Sequence, residues 1–498
     1  MNEVGDAYVA KQDLRMDSPP VLTRRRAGVV AHPASLPGNQ SQGTLGGEAR
    51  RFVDWCTEAR IGVWQVLPLG PTHQDRSPYQ CQSVLAGNPE LIDRSEPMAS
   101  AWPTDPALPV AAWLRQARHA FEAGADEATR RAYDQYVQAQ AAWLDDFALF
   151  RALRAAHNGL PWWEWEAPLA ARKACALLSA RTRCAERIAD EQFGQFLFDH
   201  QWQVLRRYAR DNDVELFGDA PIFVALDSAD VWAERHWFQL SDEGQPRVVA
   251  GVPPDYFSAT GQRWGNPLYD WEAMREDDYG WWLRRLEREL SRVDLLRIDH
   301  FRGFESYWEI PAEEQTAIVG HWRLGPGAQF FEAVRERFGA IPVVAEDLGI
   351  ITDAVTALRD EFSLPGMKVL QFAFGGDAGN PYLPHNHTRN AVSYTGTHDN
   401  DTTLGWANNA DARVVKHACA YLGCEPDGLP AAMLRANFAS VATLAIAPMQ
   451  DFLGLDSEHR MNTPGVIGGN WRWRFQWDDL PSGLAQDIAS MMQVYGRC

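Results

Sequence analysis

The chain has 498 residues and a formal net charge of −19 at pH 7, which argues against partners such as nucleic acids or anionic membranes. It holds no run of about 18 apolar residues, and its start lacks the basic and apolar regions of a secretion signal, so we expect a cytoplasmic protein without a membrane span. The cysteines are odd in number, form no C-x-x-C pair and, like the histidines, show no metal-ligand spacing. We therefore expect reduced thiols, no metal site and no cofactor.

Eight short apolar segments have the length and composition of buried parallel strands. In chain order they cover residues 28–32, 64–69, 214–219, 295–299, 342–347, 367–374, 391–398 and 444–451. Helical patterns lie between several of them, as at 280–293 and 328–339. Alternating strands and helices predict an α/β fold with a parallel sheet, and eight strands is the number of a (β/α)8 TIM barrel.

A typical barrel of this kind needs about 250 residues, so much of the chain must be inserted between strands. Residues 93–200 are rich in Ala, Trp and Arg with helical periodicity and predict a helical subdomain. Residues 221–275 are rich in Pro, Gly and aromatic residues and predict a loop-rich lid subdomain. We expect residues 1–498 to form a single catalytic barrel domain, with both insertions at the C-terminal face where barrels build their sites.

Four of the predicted strands run directly into an acidic side chain. These side chains are Asp219, Asp299, Glu346 and Asp399. The carboxyl ends of barrel strands meet at one mouth, and ionised groups are costly there without a task, so we expect a site at this mouth. Taken singly, each acid also fits a structural ion pair or a helix cap, and the sequence GDAP makes a cap or turn a stronger alternative for Asp219.

The fourth predicted strand should aim two charged residues at the barrel axis, because successive residues of a strand point to opposite faces. One face carries Val293, Leu295, Arg297 and Asp299, and the other carries Leu296 and Ile298. Arg297 would then lower the pKa of Asp299 and keep that aspartate ionised.

Converging carboxylates can cleave glycosides with retention of configuration. One acts as nucleophile and another as acid and then base, with the two carboxyl groups about 5 to 5.5 Å apart. A third, ionised carboxylate stabilises a transition state of oxocarbenium character. Asp299, Glu346 and Asp399 could supply this set from their strand ends. His398 would face the other side of an ideal strand, but at the turn after the strand it can still reach a substrate.

The sequence resembles the amylomaltase family of 4-α-glucanotransferases, within the wider α-amylase clan of barrel enzymes, in its compact form without an N-terminal extension. The resemblance rests on many motifs in order along nearly the whole chain. They are PASLPGNQSQGTLG at 33–46, LPLGPT at 67–72, SPYQ at 77–80, GNPELID at 87–93, GDAPIFVALDSADVW at 218–232, AGVPPDYFSATGQRWGNPLYDW at 250–271, LRIDHFRGFESYW at 296–308, VVAEDLG at 343–349, TGTHDNDTTLGW at 395–406, PMQDFLGL at 448–455, RMNTPG at 460–465 and NWRWR at 470–474.

The resemblance implies a catalytic role for each of the three carboxylates. Asp299 in RIDHFRG matches the family's nucleophile, and Glu346 in AEDLG matches its acid and base. Asp399 in THDND matches the residue that stabilises the transition state. His398 is then expected to contact the same sugar, and Arg297 to orient the nucleophile.

The resemblance also implies residues that bind the substrate. Tyr79, Asp219 and Asn462 match positions near the cleavage point. The segment 253–271 resembles a mobile loop over the acceptor side. Its glucose-binding residues would be Tyr256, Phe257, Gln262 and Trp264. We expect Trp264 to stack on a sugar ring, with packing of the loop onto the barrel as the structural alternative.

By this resemblance the chain is expected to transfer α-1,4-glucan segments between malto-oligosaccharides taken from starch or glycogen, with cyclic glucans as a further product to be tested. A retaining α-1,4-glucan hydrolase would use the same carboxylates, because the two outcomes differ only in whether a sugar hydroxyl or water attacks the covalent intermediate. A non-catalytic glucan-binding protein would keep the aromatic residues, but the presence of all three acids argues against it. A structural barrel would use its strand-end acids in ion pairs, and only the convergent set of motifs argues against that alternative. The oligomeric state is left open.

Overall fold

The computed structural model describes residues 22–38, 40–96, 98, 101, 105, 107–254, 258–466 and 468–498. Within these ranges the chain forms twelve strands. They are β1 (Arg26–Val30), β2 (Val63–Gln65), β3 (Glu215–Pro221), β4 (Val248–Val252), β5 (Gln262–Pro267), β6 (Leu295–Asp299), β7 (Ser306–Pro311), β8 (His321–Leu324), β9 (Val343–Ala345), β10 (Gly366–Val369), β11 (Ala391–Tyr394) and β12 (Leu444–Pro448).

Eight of these strands close into a barrel. Around it they follow the order β1, β2, β3, β6, β9, β10, β11 and β12, and all neighbours are parallel. The ring closes where β12 pairs with β1, with Arg26 opposite Leu444 and Val30 opposite Pro448. The predicted (β/α)8 TIM barrel is confirmed, and each of the eight predicted segments overlaps one barrel strand.

The two faces of β6 lie in different environments. Leu295 packs inside the barrel with side chains such as Val344, whereas Leu296 and Ile298 belong to the outer core that the helices cover. This is the alternation predicted for the strand. The prediction for Val293 was wrong: it packs in the outer core, because it precedes the strand and the alternation begins only at Leu295.

Sixteen α-helices lie in the described part of the chain. They are α1 (Gly47–Glu58), α2 (Val110–Gly124), α3 (Glu127–Ala156), α4 (Ala167–Ala170), α5 (Ala174–Arg183), α6 (Ala185–Asp211), α7 (Ala229–Ala233), α8 (Trp271–Glu276), α9 (Gly280–Leu290), α10 (Ala328–Phe338), α11 (Asp353–Glu361), α12 (Thr403–Asn409), α13 (Ala412–Leu422), α14 (Leu429–Ala439), α15 (Met449–Phe452) and α16 (Leu484–Val494). The helical patterns predicted at 280–293 and 328–339 form α9 and α10.

The chain between β2 and β3 carries the helices α2 to α6. The longest of them, α3, is capped by Asp126, whose side chain accepts a 2.7 Å hydrogen bond from the backbone N–H of Thr129. It packs on α6, where Tyr136 lies 5.7 Å from Phe196 between ring centroids and donates a 2.7 Å hydrogen bond to Asp199. A separate helical subdomain with limits at 93 and 200 stays a prediction.

The segment 221–275, predicted to be rich in loops, also contains β4 and β5. Both strands join β7 and β8 in a small antiparallel sheet with the order β5, β4, β7, β8. Their sequences, VVAGV and QRWGNP, are short and contain Gly or Pro, so they give little of the alternation by which a strand is recognised. The limits of a lid subdomain at 221 and 275 likewise stay a prediction.

Candidate active site

Three carboxylates come together at the C-terminal mouth of the barrel. Asp299 is the last residue of β6, Glu346 directly follows β9, and Asp399 lies in the turn after β11. All three line a single cleft of about 1150 Å³. The convergence expected from the strand ends is therefore present in the fold, at the face where barrels place their sites.

Arg297 joins two of the strand-end acids. Its Nη1 donates hydrogen bonds of 2.7 Å to both carboxylate oxygens of Asp219, and its Nη2 donates a 2.7 Å bond to Oδ1 of Asp299. The side chain of Asp219 is fully buried, while that of Asp299 is 29% exposed. Asp219 thus binds Arg297 from the buried side of the site. The predicted contact of Asp219 with a substrate stays a prediction.

The pKa of Asp299 departs from the sequence-based expectation. Burial, together with the nearby charges of Asp219 and Asp399, raises its pKa above the ordinary value, although Arg297 acts in the opposite direction. Arg297 lowers the pKa as expected, but the net shift is upward, because a pattern read along one strand does not reveal the acids that other strands bring close.

Glu346 is held by backbone groups. The N–H of His300 donates a 2.7 Å hydrogen bond to its Oε2, and the N–H of Leu348 donates a 2.9 Å bond to its Oε1. Burial and the charge of Asp299 raise the pKa of Glu346 to about 7, against the lowering effects of Arg297 and the two backbone N–H groups. A carboxyl group with this pKa can both donate and accept a proton near neutral pH.

Asp399 has the opposite environment. Asn462 Nδ2 donates a 2.6 Å hydrogen bond to its Oδ1, and His398 Nε2 lies 3.4 Å from the same oxygen. Although burial opposes ionisation, the charge of His398 and these hydrogen bonds hold the pKa of Asp399 well below its usual range. Asp399 is therefore ionised, and its charge in turn raises the pKa of His398 in spite of burial.

Two aromatic rings lie beside His398. Tyr79 stacks on His398 with the ring centroids 5.1 Å apart and an interplanar angle of 13°, and its hydroxyl donates a 2.7 Å hydrogen bond to Asp219. Trp471 lies 5.8 Å from Tyr79 and 5.9 Å from His398. No role was predicted for Trp471; its only signal was its position in the motif NWRWR.

Two of the residues predicted on the lid, Tyr256 and Phe257, lie outside the described residues. Gln262 and Trp264 line the cleft, and Trp264 Nε1 donates a 3.1 Å hydrogen bond to Gln262 Oε1. The ring of Trp264 also meets His300 edge to face, with the centroids 4.8 Å apart. Trp264 therefore packs onto the barrel and borders the cleft at once, and its contact with a sugar stays a prediction.

Neither a metal cluster nor a membrane helix is found in the described part of the chain. No group of three or more His, Cys, Asp or Glu side chains there could hold a metal ion, and no helix there is long and apolar enough to cross a bilayer.

Known proteins are similar to this chain over nearly its whole length. A family model described as 4-alpha-glucanotransferase (Glyco_hydro_77) matches residues 31–480. The 4-alpha-glucanotransferase of Thermus thermophilus is 49% identical over 94% of this chain and 98% of its own, and that of a Synechocystis strain is 45% identical over 96% and 99%. The solved amylomaltase of Streptococcus agalactiae in complex with acarbose superposes with a TM-score of 0.91 at 35% identity, over 95% of this chain and all of that one.

Proposed function

The chain belongs to the 4-alpha-glucanotransferase family, as its motifs predicted, and we propose that it transfers segments of α-1,4-glucans between malto-oligosaccharides by a retaining double displacement. One observation carries the proposal. Asp299, Glu346 and Asp399 line one cleft, and their surroundings move the pKa of Glu346 up and that of Asp399 down. When two neighbouring carboxyl groups have pKa values shifted in opposite directions, one can serve as the proton donor while the other stays ionised.

In the first step, a carboxylate oxygen of Asp299 attacks the anomeric carbon of the donor glucan. The glycosidic bond breaks, its electron pair stays with the leaving oxygen, and that oxygen takes the proton of Glu346. Glu346 is protonated below pH 7 because of its raised pKa. The product is a glycosyl ester on Asp299 and a released glucan with a free hydroxyl.

Asp399 acts in the transition state of each of the two steps. The anomeric carbon carries positive charge in the transition state, and a fixed negative charge beside it lowers the barrier without reorganising. Asn462 and His398 hold Asp399 ionised. Asp399 therefore stabilises charge, while proton transfer is left to Glu346.

In the second step, Glu346 takes the proton from a hydroxyl of the acceptor glucan, and that oxygen displaces Asp299 from the anomeric carbon. Two inversions give net retention. Transfer prevails over hydrolysis only if a bound acceptor outcompetes water, and a positioned hydroxyl has a large effective molarity. Gln262 and Trp264, on the cleft wall, are the described side chains that we assign to acceptor binding. Tyr79 and Asp219 are assigned to the neighbourhood of the cleaved bond.

The donors and acceptors we propose are malto-oligosaccharides and the α-1,4-glucans derived from starch or glycogen. Formation of cyclic glucans and a cytoplasmic location also stay proposals. A retaining α-1,4-glucan hydrolase is the alternative function, since the same first step serves both.

Incubation of the purified protein with maltotriose tests the proposal. Products are separated by chain length, and total reducing ends are counted over time. The proposal predicts free glucose and a ladder of longer oligosaccharides at a constant number of reducing ends. A rising number of reducing ends would instead establish a hydrolase. Unchanged maltotriose would favour a glucan-binding protein without catalysis.

A further inference from the structure

A second tryptophan stands in the wall of the cleft, on the outer strand of the small sheet. Trp322 lies on β8, pairs across the strands with Trp308 on β7, and is 39% exposed. It borders the same cleft as Asp299 and Glu346. None of the steps proposed above uses it.

The ring of Trp322 is held in place from two sides. The guanidinium of Arg302 lies over the ring, 3.9 Å from its centroid, and Trp308 meets it edge to face at 5.3 Å. Arg302 is itself only 4% exposed and donates hydrogen bonds to the backbone oxygen of Ile350 and, at 3.2 Å, to Ser306 Oγ. An aromatic ring fixed in this way loses little conformational freedom when a ligand binds to it.

Arg302, which lies over this ring, is in the turn that comes just after the nucleophile's strand. Arg302 follows Asp299 by three residues, in the short helical turn Phe301–Phe304. The position of Trp322 is therefore tied to the end of β6, not only to the sheet that bears it. The backbone oxygen that Arg302 binds belongs to Ile350, a 50% exposed residue that also lines the cleft.

The small sheet places two tryptophans at its opposite edges. Trp264 is on β5 and Trp322 on β8, and β4 and β7 lie between them. Three strand spacings of about 4.8 Å separate the outer strands by about 14 Å. Both rings line the cleft, so a chain of several glucose units could touch both, whereas a single unit could not.

We propose that Trp322 binds a glucose unit remote from the cleaved bond and thereby favours long α-1,4-glucans over short ones. This inference rests on the proposed function. The apolar C–H face of a glucose ring suits an exposed indole, since aromatic rings offer large apolar area in a fixed geometry. Arg302 and Trp308 hold Trp322 in place, so its ring is a prepared binding surface in the wall of the cleft.

The test compares Trp322→Ala with the parent protein on maltotriose, maltoheptaose and short amylose. We expect kcat/KM for the long donors to fall about three- to tenfold more than that for maltotriose, in line with the energy of one aromatic contact. Trp322→Phe should restore most of the long-donor activity. Leu324→Ala is the matched control, because Leu324 is on the same strand and 80% exposed, yet is not among the described residues that line the cleft.

An equal loss for all donor lengths, or no loss for any, would overturn the inference and leave the proposed function intact. A change of oligomeric state in Trp322→Ala, measured by sedimentation, with the same loss for every donor would assign the ring to a contact between two copies of the chain and would also overturn it. A parent protein that leaves maltotriose and the longer glucans unchanged would contradict the proposed function itself.

Discussion

The backbone N–H of His300 donates a 2.7 Å hydrogen bond to Oε2 of Glu346. His300 directly follows Asp299 and has a left-handed backbone conformation with φ of 53°, which is uncommon for a residue with a side chain. The bend turns its N–H toward the residue that follows β9. The carboxyl group that we assign to the acid is thus held by the backbone of the residue that directly follows the nucleophile.

Glu346→Gln should reduce kcat/KM for maltotriose at least ~10²-fold, because a positioned general acid contributes about 10²–10⁴-fold to the rate. The substitution keeps the shape of the side chain, so the unfolding temperature should stay close to that of the parent protein. Glu361→Gln, the same change at an exposed site on α11, is the control for both measurements. Activity of Glu346→Gln within a few-fold of the parent would refute the assignment.

The activity should fall as the pH rises through about 7. Glu346 must be protonated to serve as the acid, and its raised pKa of about 7 means that the proton is present below this pH and lost above it. Asp299 must be ionised to attack, and its pKa is raised as well. On the acid side, activity should therefore fall at a higher pH than the pKa of an ordinary aspartate would give. The pH dependence of kcat/KM measures both limbs.

The same profile in Glu346→Gln provides the control for the alkaline limb. That limb should vanish from the residual activity, because Gln does not titrate. A limb that persists near pH 7 would show that another group sets it.

Asn462→Ala removes the amide that donates to Oδ1 of Asp399. A hydrogen bond to a charged group contributes about 1.5–3 kcal/mol, so we expect kcat for maltotriose to fall roughly tenfold or more. The change in KM should be smaller, because the charge that Asp399 stabilises develops only in the transition state. Asn409→Ala, at an exposed site on α12, is the control. An effect on KM alone would restrict Asn462 to substrate binding.

Trp264→Ala should raise the ratio of hydrolysis to transfer. Loss of the indole opens the cleft to water, which then competes with the acceptor for the covalent intermediate. The ratio is measured as reducing ends released per glucan transferred, and Trp264→Phe serves as the variant that keeps a ring. An unchanged ratio with a lowered unfolding temperature would assign Trp264 to packing against His300 alone.

The barrel strands and the three carboxylates could be predicted from sequence because their signals are local. A buried parallel strand is a short apolar run, and an acid at its end needs no knowledge of the partner strands. Alternation along β6 correctly placed Arg297 and Asp299 together. It failed for Val293, which the strand does not include.

Features that depend on distant elements could not be predicted in this way. The upward shift of the pKa of Asp299 depends on acids from β3 and from the turn after β11. The stack of Tyr79 on His398 joins residues more than three hundred positions apart. The clamp of Arg302 on Trp322 arises only when β8 pairs with β7. A sequence pattern records none of these distances.

Trapping of the covalent intermediate tests the central claim most directly. The protein is incubated with a fluorinated maltosyl donor that forms the glycosyl ester but releases it slowly, and the labelled peptide is identified by mass spectrometry. We predict one label on Asp299 and none in Asp299→Asn. A label on another residue, or glucan transfer by Asp299→Asn at the rate of the parent protein, would contradict the account.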